Sequence, residues 1–249
     1  MINYLKSENY RLLNKKSLYI TTVICFLLIA AAAIVLYYSQ QYDSTFPYAT
    51  SKFFYSNVIG SGTMIIIIGL LYNLTLTGKD TSLIKQSVSF GISRNVIFWS
   101  KLMLTLGYFL LFCIIGIIFM IVLGEKLLSS DSESVSNFLI ASANMIPIVL
   151  SGLFLIHTMK MLKIGEVYVF ITVLFIYGFS GDVLRILFRP INSLKELYKY
   201  SPHALFNENL SKYLNDSAQF GYEYWVIGIA ISGIALLIGV KGFTKQNID

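Results

Sequence analysis

Charged residues are scarce in this chain. Asp, Glu, Lys and Arg together make up 13% of its 249 residues, whereas soluble globular domains carry roughly 25%. The composition therefore excludes a soluble globular domain. The alternation of polar and apolar residues that marks a membrane β-barrel is also missing, because the apolar residues occur in long continuous runs. These two absences indicate an all-α polytopic membrane protein.

Groups that could carry catalysis or bind a metal are also few. The two cysteines, Cys25 and Cys113, lie inside separate apolar runs, and no CxxC or His/Cys metal spacing is present. The two histidines, His157 and His203, have no second ligand four residues away, and we interpret His157 as a residue of the membrane interface. The residues around Lys79 lack the first glycine and the hydroxyl residue of an ATP-binding loop. We therefore expect no enzyme activity, metal or cofactor in this chain.

Ionisable residues are absent from the middle of the apolar runs. Glu166 and Asp182 come nearest, and each lies within about one helical turn of a predicted span end. Ion-coupled secondary carriers usually place such groups in mid-bilayer and often contain inverted repeats. We therefore expect the energy for any transport to come from another polypeptide. A carrier that uses Asp182 and Glu166 is the alternative.

Six apolar runs are long enough to cross a bilayer, which takes roughly 20 helical residues. We predict a single transmembrane permease domain over residues 1–249, beginning with an interfacial helix over residues 1–16 whose basic side faces lipid headgroups. The predicted spans are 18–38, 53–76, 102–123, 138–159, 164–182 and 224–243. Short helices are expected at the outer interface between the last two spans.

Several polar and small residues lie inside the predicted spans. The small residues 60–63 allow a close helix contact in the second span. Asn57 and Asn73 are expected to hydrogen-bond to a neighbouring helix or to face a cavity. Pro147 is expected to kink the fourth span.

The distribution of cations predicts the orientation. An even number of spans puts both termini on one side. Twelve of the 19 Lys and Arg residues fall on that side: Lys6, Arg11, Lys15, Lys16, Lys79, Lys85, Arg94, Lys101, Lys160, Lys163, Lys241 and Lys245. On the other side, the two short loops hold only Lys52 and Lys126. Because short loops determine orientation, both termini are predicted to be cytoplasmic.

The polar stretch between the second and third spans is the most informative part of the sequence. We predict a short amphipathic helix over residues 80–91 with Asp80 as its N-cap, and a left-handed stop at Gly91. Ser93 is expected to cap a further helix that begins at Arg94. The short helix carries an apolar face of Leu83, Ile84, Val88 and Phe90, with Lys85 and Gln86 on the other side.

This stretch resembles the coupling helix of the membrane subunits of type-2 ATP-binding-cassette exporters. The resemblance lies in residues 84–94, which read IKQSVSFGISR, followed by Lys101. Asp80 stands where many members have Glu, and Val88 where many have Leu. The predicted order of elements is also similar over the whole chain: an N-terminal amphipathic helix, six spans and short outer helices before the last span.

The resemblance implies a function and a set of partners. Two permease subunits, identical or different, would pair, and each would dock one soluble ATPase subunit that binds ATP and Mg²⁺. Asp80, Leu83, Ile84, Lys85, Gln86, Val88, Phe90, Gly91 and Arg94 would form the ATPase-binding site. Lys85 and Arg94 would pair with acids on the ATPase or with lipid phosphates. Nucleic acid is not expected as a partner.

The cargo follows only from the kind of permease that the chain resembles. The Ile-, Asn- and Lys-rich sequence is similar to plasma-membrane permeases of Gram-positive bacteria that export hydrophobic or amphipathic peptides, including antimicrobial and cytolytic ones. A drug or antibiotic efflux permease is an alternative. A non-transporting membrane sensor or immunity scaffold is another, and it would keep its function when its ATPase partner is inactive.

Overall fold

The computed structural model describes residues 2–77, 81–131, 133–191 and 194–246. These residues form helices and contain no named β-strand, although one isolated bridge pairs Thr50 with Ser129. The α-helices are α1 (Ile2–Leu13), α2 (Lys16–Tyr42), α3 (Ser51–Gly60), α4 (Gly62–Thr77), α5 (Thr81–Ser89), α6 (Arg94–Leu127), α7 (Ser134–Met161), α8 (Glu166–Val173), α9 (Ser180–Phe188), α10 (Pro202–Leu214) and α11 (Tyr222–Lys245). A π-helical segment (Leu174–Phe179) joins α8 to α9, and a 3-10 turn (Leu197–Tyr200) precedes α10.

Five helical stretches are long and apolar enough to cross a membrane without a break. They are α2, α6, α7, the run Glu166–Phe188 and α11. The predicted all-α polytopic membrane fold is thus confirmed. α2 and α6 bury little of their surface inside the bundle, and their outward side chains are apolar, as contact with lipid hydrocarbon requires. α7 is the most buried crossing and contacts α3, α4, α6, α8, α10 and α11.

The second predicted span is broken. α3 and α4 meet at Ser61 and bend by 61°. Glycines on both sides of Ser61 weaken the helix there, because glycine has the lowest helix propensity after proline. A Cβ at Gly62 would lie 2.7 Å from the ring of Phe206. The close helix contact predicted for residues 60–63 is therefore present, but the sequence did not predict the bend that accompanies it.

The π-helical segment lies opposite this break. Thr63 Oγ1 donates a hydrogen bond of 2.9 Å to the Tyr177 carbonyl, and the Tyr177 hydroxyl lies 2.8 Å from Ser151 Oγ. A π segment shifts the helical hydrogen bonds by one residue. Thr63 joins this segment to the neighbouring crossing.

The broken pair α3–α4 crosses the whole bundle. At one end the backbone N–H of Ser51 donates to the Ser129 carbonyl, at 2.9 Å. At the other end Lys15 Nζ donates to the Thr75 carbonyl, at 2.5 Å. The chain therefore makes six crossings, and both termini lie at the same end. We call this end the terminal face; it holds α1, α5 and the end of α11. The other end, with Ser51 and Ser129, is the opposite face.

One of the short helices expected before the last span, α10, packs against the bundle. α10 is capped by Ser201 Oγ, which accepts from the Ala204 N–H, and it buries Leu205, Phe206 and Tyr213 against the bundle. Before it, the described residues of this loop form α9, which buries only Gly181, and the 3-10 turn, in which no residue is buried.

The amide side chain of Asn144, inside the fourth crossing, is held by partners within the bundle. Asn144 Nδ2 donates to Asn209 Oδ1 at 3.1 Å and to the Gln219 carbonyl at 2.9 Å, and its Oδ1 accepts from the Gly221 N–H. Asn57 differs from its prediction, because its side chain donates to the Phe53 carbonyl on its own helix. α7 continues as one helix through Pro147.

The contact between α7 and α11 predicts a clear difference between two glycines of α11. A Cβ at Gly228 would lie 2.5 Å from the carbonyl of Pro147, which is rigid backbone, whereas a Cβ at Gly233 would meet no described heavy atom within 4 Å. We expect Gly228→Ala to destabilise the protein by about 1–3 kcal/mol, the usual cost of overpacking. Gly233→Ala should be neutral or slightly stabilising. Thermal unfolding in detergent compares the two, and equal melting temperatures would contradict the α7–α11 packing.

Candidate functional site

The predicted short helix between the second and third crossings is present as α5, on the terminal face. It ends as expected: Gly91 has φ of +81°, a left-handed conformation that suits glycine. The N–H of Gly91 donates to the Val88 carbonyl, and the N–H of Ile92 to the Ser87 carbonyl. Asp80, the predicted N-cap, lies outside the described residues.

The start of α6 also follows the prediction. Ser93 Oγ accepts from the Val96 N–H, so Ser93 caps the helix that begins at Arg94. The Arg94 guanidinium donates to the carbonyls of Thr244, at 2.8 Å, and Gln246, at 2.6 Å. A cation at the C-terminal end of a helix is favourable because carbonyl groups there lack partners. Arg94 therefore holds the end of α11 beside α5. Its predicted contact with an ATPase or a lipid phosphate stays a prediction.

The four apolar side chains predicted to form the docking face do not share one free face, and Phe90 lies in the turn that follows α5. Ile84 and Val88 pack against a buried cluster made of Ile97, Phe98, Leu102, Met161 and Phe243. Leu83 and Phe90 instead are exposed, by 37% and 76%. Leu83 and Ile84 differ because successive residues of a helix are rotated by about 100°. The predicted docking face thus consists of an anchored half, Ile84 and Val88, and a free half, Leu83 and Phe90.

The free half of α5 borders a groove of about 760 Å³ between α5 and α1. Leu83, Gln86 and Phe90 line one side. The other side is α1, with Asn3, Tyr4, Ser7, Glu8 and Arg11. Lys85 is exposed beside it. Sequence reasoning predicted α5 but not that α1 would form the second wall of a groove.

A buried ion cluster fixes α1 in this position. Lys101 Nζ lies 3.0 Å from Glu8 Oε2, and Arg11 Nη2 lies 2.6 Å from the same oxygen. Lys101 is only 3% exposed and Glu8 only 7%. Glu8, the acid of α1, thus faces α6. The predicted contact of the basic side of α1 with lipid headgroups stays a prediction. Lys101 was predicted only to lie on the side of the termini, and its position two turns inside α6 was a signal that it needs an acidic partner.

A second buried polar group lies next to this face. His157 is completely buried, so its interpretation as an interface residue is wrong. Its Nε2 lies 3.3 Å from the Phe98 carbonyl, and its Nδ1 lies 3.3 Å from Asn73 Nδ2. Because a carbonyl can only accept, Nε2 carries the proton and Nδ1 accepts from Asn73. Thr77 Oγ1 donates to Asn73 Oδ1. The group joins α4, α6 and α7, and it confirms that Asn73 bonds to a neighbouring helix.

The two acids considered for ion coupling lie on the outside of the bundle. The Asp182 side chain is 67% exposed, 3.9 Å from His203 Nδ1. The Glu166 side chain is 61% exposed, 3.5 Å from Lys160 Nζ. Neither faces the interior. Among the described residues, no group of three or more His, Cys, Asp or Glu side chains could hold a metal ion.

The buried ion pair predicts a sensitive position in α1. Glu8→Gln removes the negative charge and leaves Lys101 buried without it, which typically costs about 3–5 kcal/mol. We expect a large drop in the melting temperature measured in detergent. Glu166→Gln, which changes an exposed acid, is the matched control and should have little effect. Replacing both members, as Glu8→Leu with Lys101→Met, should restore much of the stability. A Glu8→Gln protein as stable as the control would contradict the ion pair.

Comparison of the chain with protein-family models, with curated proteins and with solved structures found no match. The structure itself establishes a polytopic all-α membrane protein that makes six crossings, with a short amphipathic helix anchored to the bundle on the terminal face.

Proposed function

We propose that this chain is the permease subunit of an ATP-driven exporter, and that α5 receives force from a separate ATPase subunit. The observation that carries this proposal is the division of α5. Its inner half, Ile84 and Val88, is fixed to the bundle, and its outer half, Leu83 and Phe90, is free to meet a partner. An amphipathic helix with exposed apolar anchors beside a groove suits helix-in-groove recognition.

The contacts of α5 suit the transmission of force. Ile84 and Val88 pack on residues of α6, of the end of α7 and of the end of α11. The turn at Gly91 leads directly into α6, where Arg94 is bonded to the end of α11. Coupling between sites travels through contiguous packed elements. Pressure on Leu83 and Phe90 would therefore act on three crossings together.

The remaining parts of the proposal follow the sequence resemblance. Two permease subunits, identical or different, would each bind one ATPase, and ATP and Mg²⁺ would be bound by the ATPase. The terminal face would be cytoplasmic, in agreement with its excess of cations. The cargo would be a hydrophobic or amphipathic peptide carried across the plasma membrane of a Gram-positive bacterium, with drug efflux as the alternative cargo class.

An ion-coupled carrier is the second candidate function, because the structure adds an observation that favours it. Glu8, Lys101 and His157 are ionisable and buried near the terminal face. Buried ionisable residues in membrane proteins commonly mark ion pathways. In this case transport would need a proton gradient and no ATPase.

Transport into inside-out vesicles separates the two candidates. Vesicles from cells that express the chain with its native neighbours should take up a fluorescent amphipathic peptide only with hydrolysable ATP, and a protonophore should not stop uptake. The variant Leu83→Asp with Phe90→Asp should lose this uptake while still inserting in the membrane, because charges replace the apolar anchors of α5. Leu214→Asp with Phe220→Asp changes a matched exposed pair near the opposite face and should retain uptake. Uptake that depends on the gradient and not on ATP would favour the carrier.

Thiol labelling tests the orientation. In a chain with Cys25→Ala and Cys113→Ala, Gln86→Cys provides one exposed thiol on α5. A membrane-impermeant maleimide should modify it in inside-out vesicles and leave it unmodified in intact cells. Modification in intact cells would place α5 outside the cell, and the proposed coupling to a cytoplasmic ATPase would then be wrong.

A further inference from the structure

A cavity of about 330 Å³ lies within the bundle, away from the groove on the terminal face. It is bounded by four crossings, and the lining residues fall in 25–29 of α2, 58–68 of α3 and α4, 109–120 of α6 and 142–150 of α7. These stretches are near the middle of each crossing. The cavity is therefore at the depth of the lipid hydrocarbon.

The lining of the cavity cannot hold water well. Its hydroxyl groups are those of Ser61 and Ser142, and Ser61 Oγ already donates to the Asn57 carbonyl, at 2.5 Å. A buried water needs two to four polar partners. The rest of the lining is Leu, Ile, Val, Met and Phe with one glycine and the two cysteines. An empty apolar space of this size would forfeit the dispersion contacts of its walls, so an apolar occupant is favoured.

The mouth of the cavity is continuous with the surface that meets the bilayer. Leu28 of α2, Met64 of α4 and Ile146 of α7 belong to the lining and are exposed, by 66%, 60% and 40%. The neighbouring exposed residues of α2, such as Ile24 and Leu27, are also apolar. Lipid hydrocarbon is the material in contact with this surface, so it reaches the mouth without crossing a polar barrier.

We propose that this cavity binds one acyl chain of a membrane lipid. Its volume lies in the range of roughly 300–1,000 Å³ that is usual for ligand sites. Met64, Met120 and Met145 contribute flexible side chains, which adapt to an occupant without a fixed shape. The bound acyl chain would lie beside Ser61, where the second crossing bends. This inference rests on the membrane fold and is independent of the proposed ATP-driven transport.

A photoactivatable phospholipid tests the proposal. The full chain is reconstituted in vesicles that contain phosphatidylcholine with a diazirine in the middle of one acyl chain, and labelled peptides are mapped by mass spectrometry after illumination. The cavity residues of α6 and α7 should be labelled in preference to exposed residues of α11 such as Ile234 and Leu237, because a bound chain stays longer than a passing one.

Two glycines provide a matched pair of variants. Gly116→Phe adds a ring at the cavity wall, where a Cβ would meet only the ring of Phe26, at 4.0 Å. It should lose the cavity label and keep the α11 label. Gly233→Phe adds the same ring at an open position in the middle of α11 and should keep the cavity label. Ser142→Leu fills the cavity from α7 and should also lose the cavity label, so it replaces Gly116→Phe if that variant does not fold.

Three results would overturn the proposal. The first is cavity labelling no greater than that of α11 in the unaltered chain. The second is cavity labelling that survives in a folded filling variant. The third is displacement of the label by an added amphipathic peptide or by a second copy of the chain cross-linked over the mouth, since either would be the true occupant.

Discussion

A polar backbone group in lipid hydrocarbon must find its partner within the protein, because no water is present to replace one. This constraint governs the two places where the crossings are irregular. The second crossing breaks at Ser61, and the fifth contains the π-helical segment. Thr63, two residues after the break, donates to the Tyr177 carbonyl within the π segment. The two irregular stretches face each other, and this hydrogen bond joins the second crossing to the fifth.

On the terminal face, charged side chains hold the helices together. Glu8 accepts from both Lys101 and Arg11, and this pairing holds α1 against α6. Arg94 bonds to the last carbonyls of α11. With α1 and α11 fixed on either side, α5 presents Leu83 and Phe90 while Ile84 and Val88 remain packed. These electrostatic contacts thus hold the two sides of the groove in place and connect them to the crossings.

The sequence predicted the features that depend on local signals. Long apolar runs indicated the crossings, because the side chains along the full length of a membrane-spanning helix contact either lipid or the interior of the bundle. Gly91 and Ser93 marked the end of α5 and the start of α6, because each acts through its own backbone or side chain. The different surroundings of Leu83 and Ile84 could also have been predicted from the helical rotation of about 100° per residue.

Features that join distant residues could not be predicted in this way. Glu8 and Lys101 are separated by 93 positions, and Asn73 and His157 by 84. A single sequence does not indicate which acid meets which base. The bend at Ser61 was hidden for another reason: glycines at 60 and 62 suit both close helix packing and a helix break. In the structure the close packing and the break occur together, and the ring of Phe206 fills the space beside Gly62.

The position of Phe206 has a mechanical consequence. Its ring on α10 touches the bend of the second crossing, and the far end of that crossing accepts a hydrogen bond from Lys15 at the start of α2. A change in the bend angle would either displace α10 or break its contact with Gly62. The bend at Ser61 and the position of α10 are therefore coupled by direct packing.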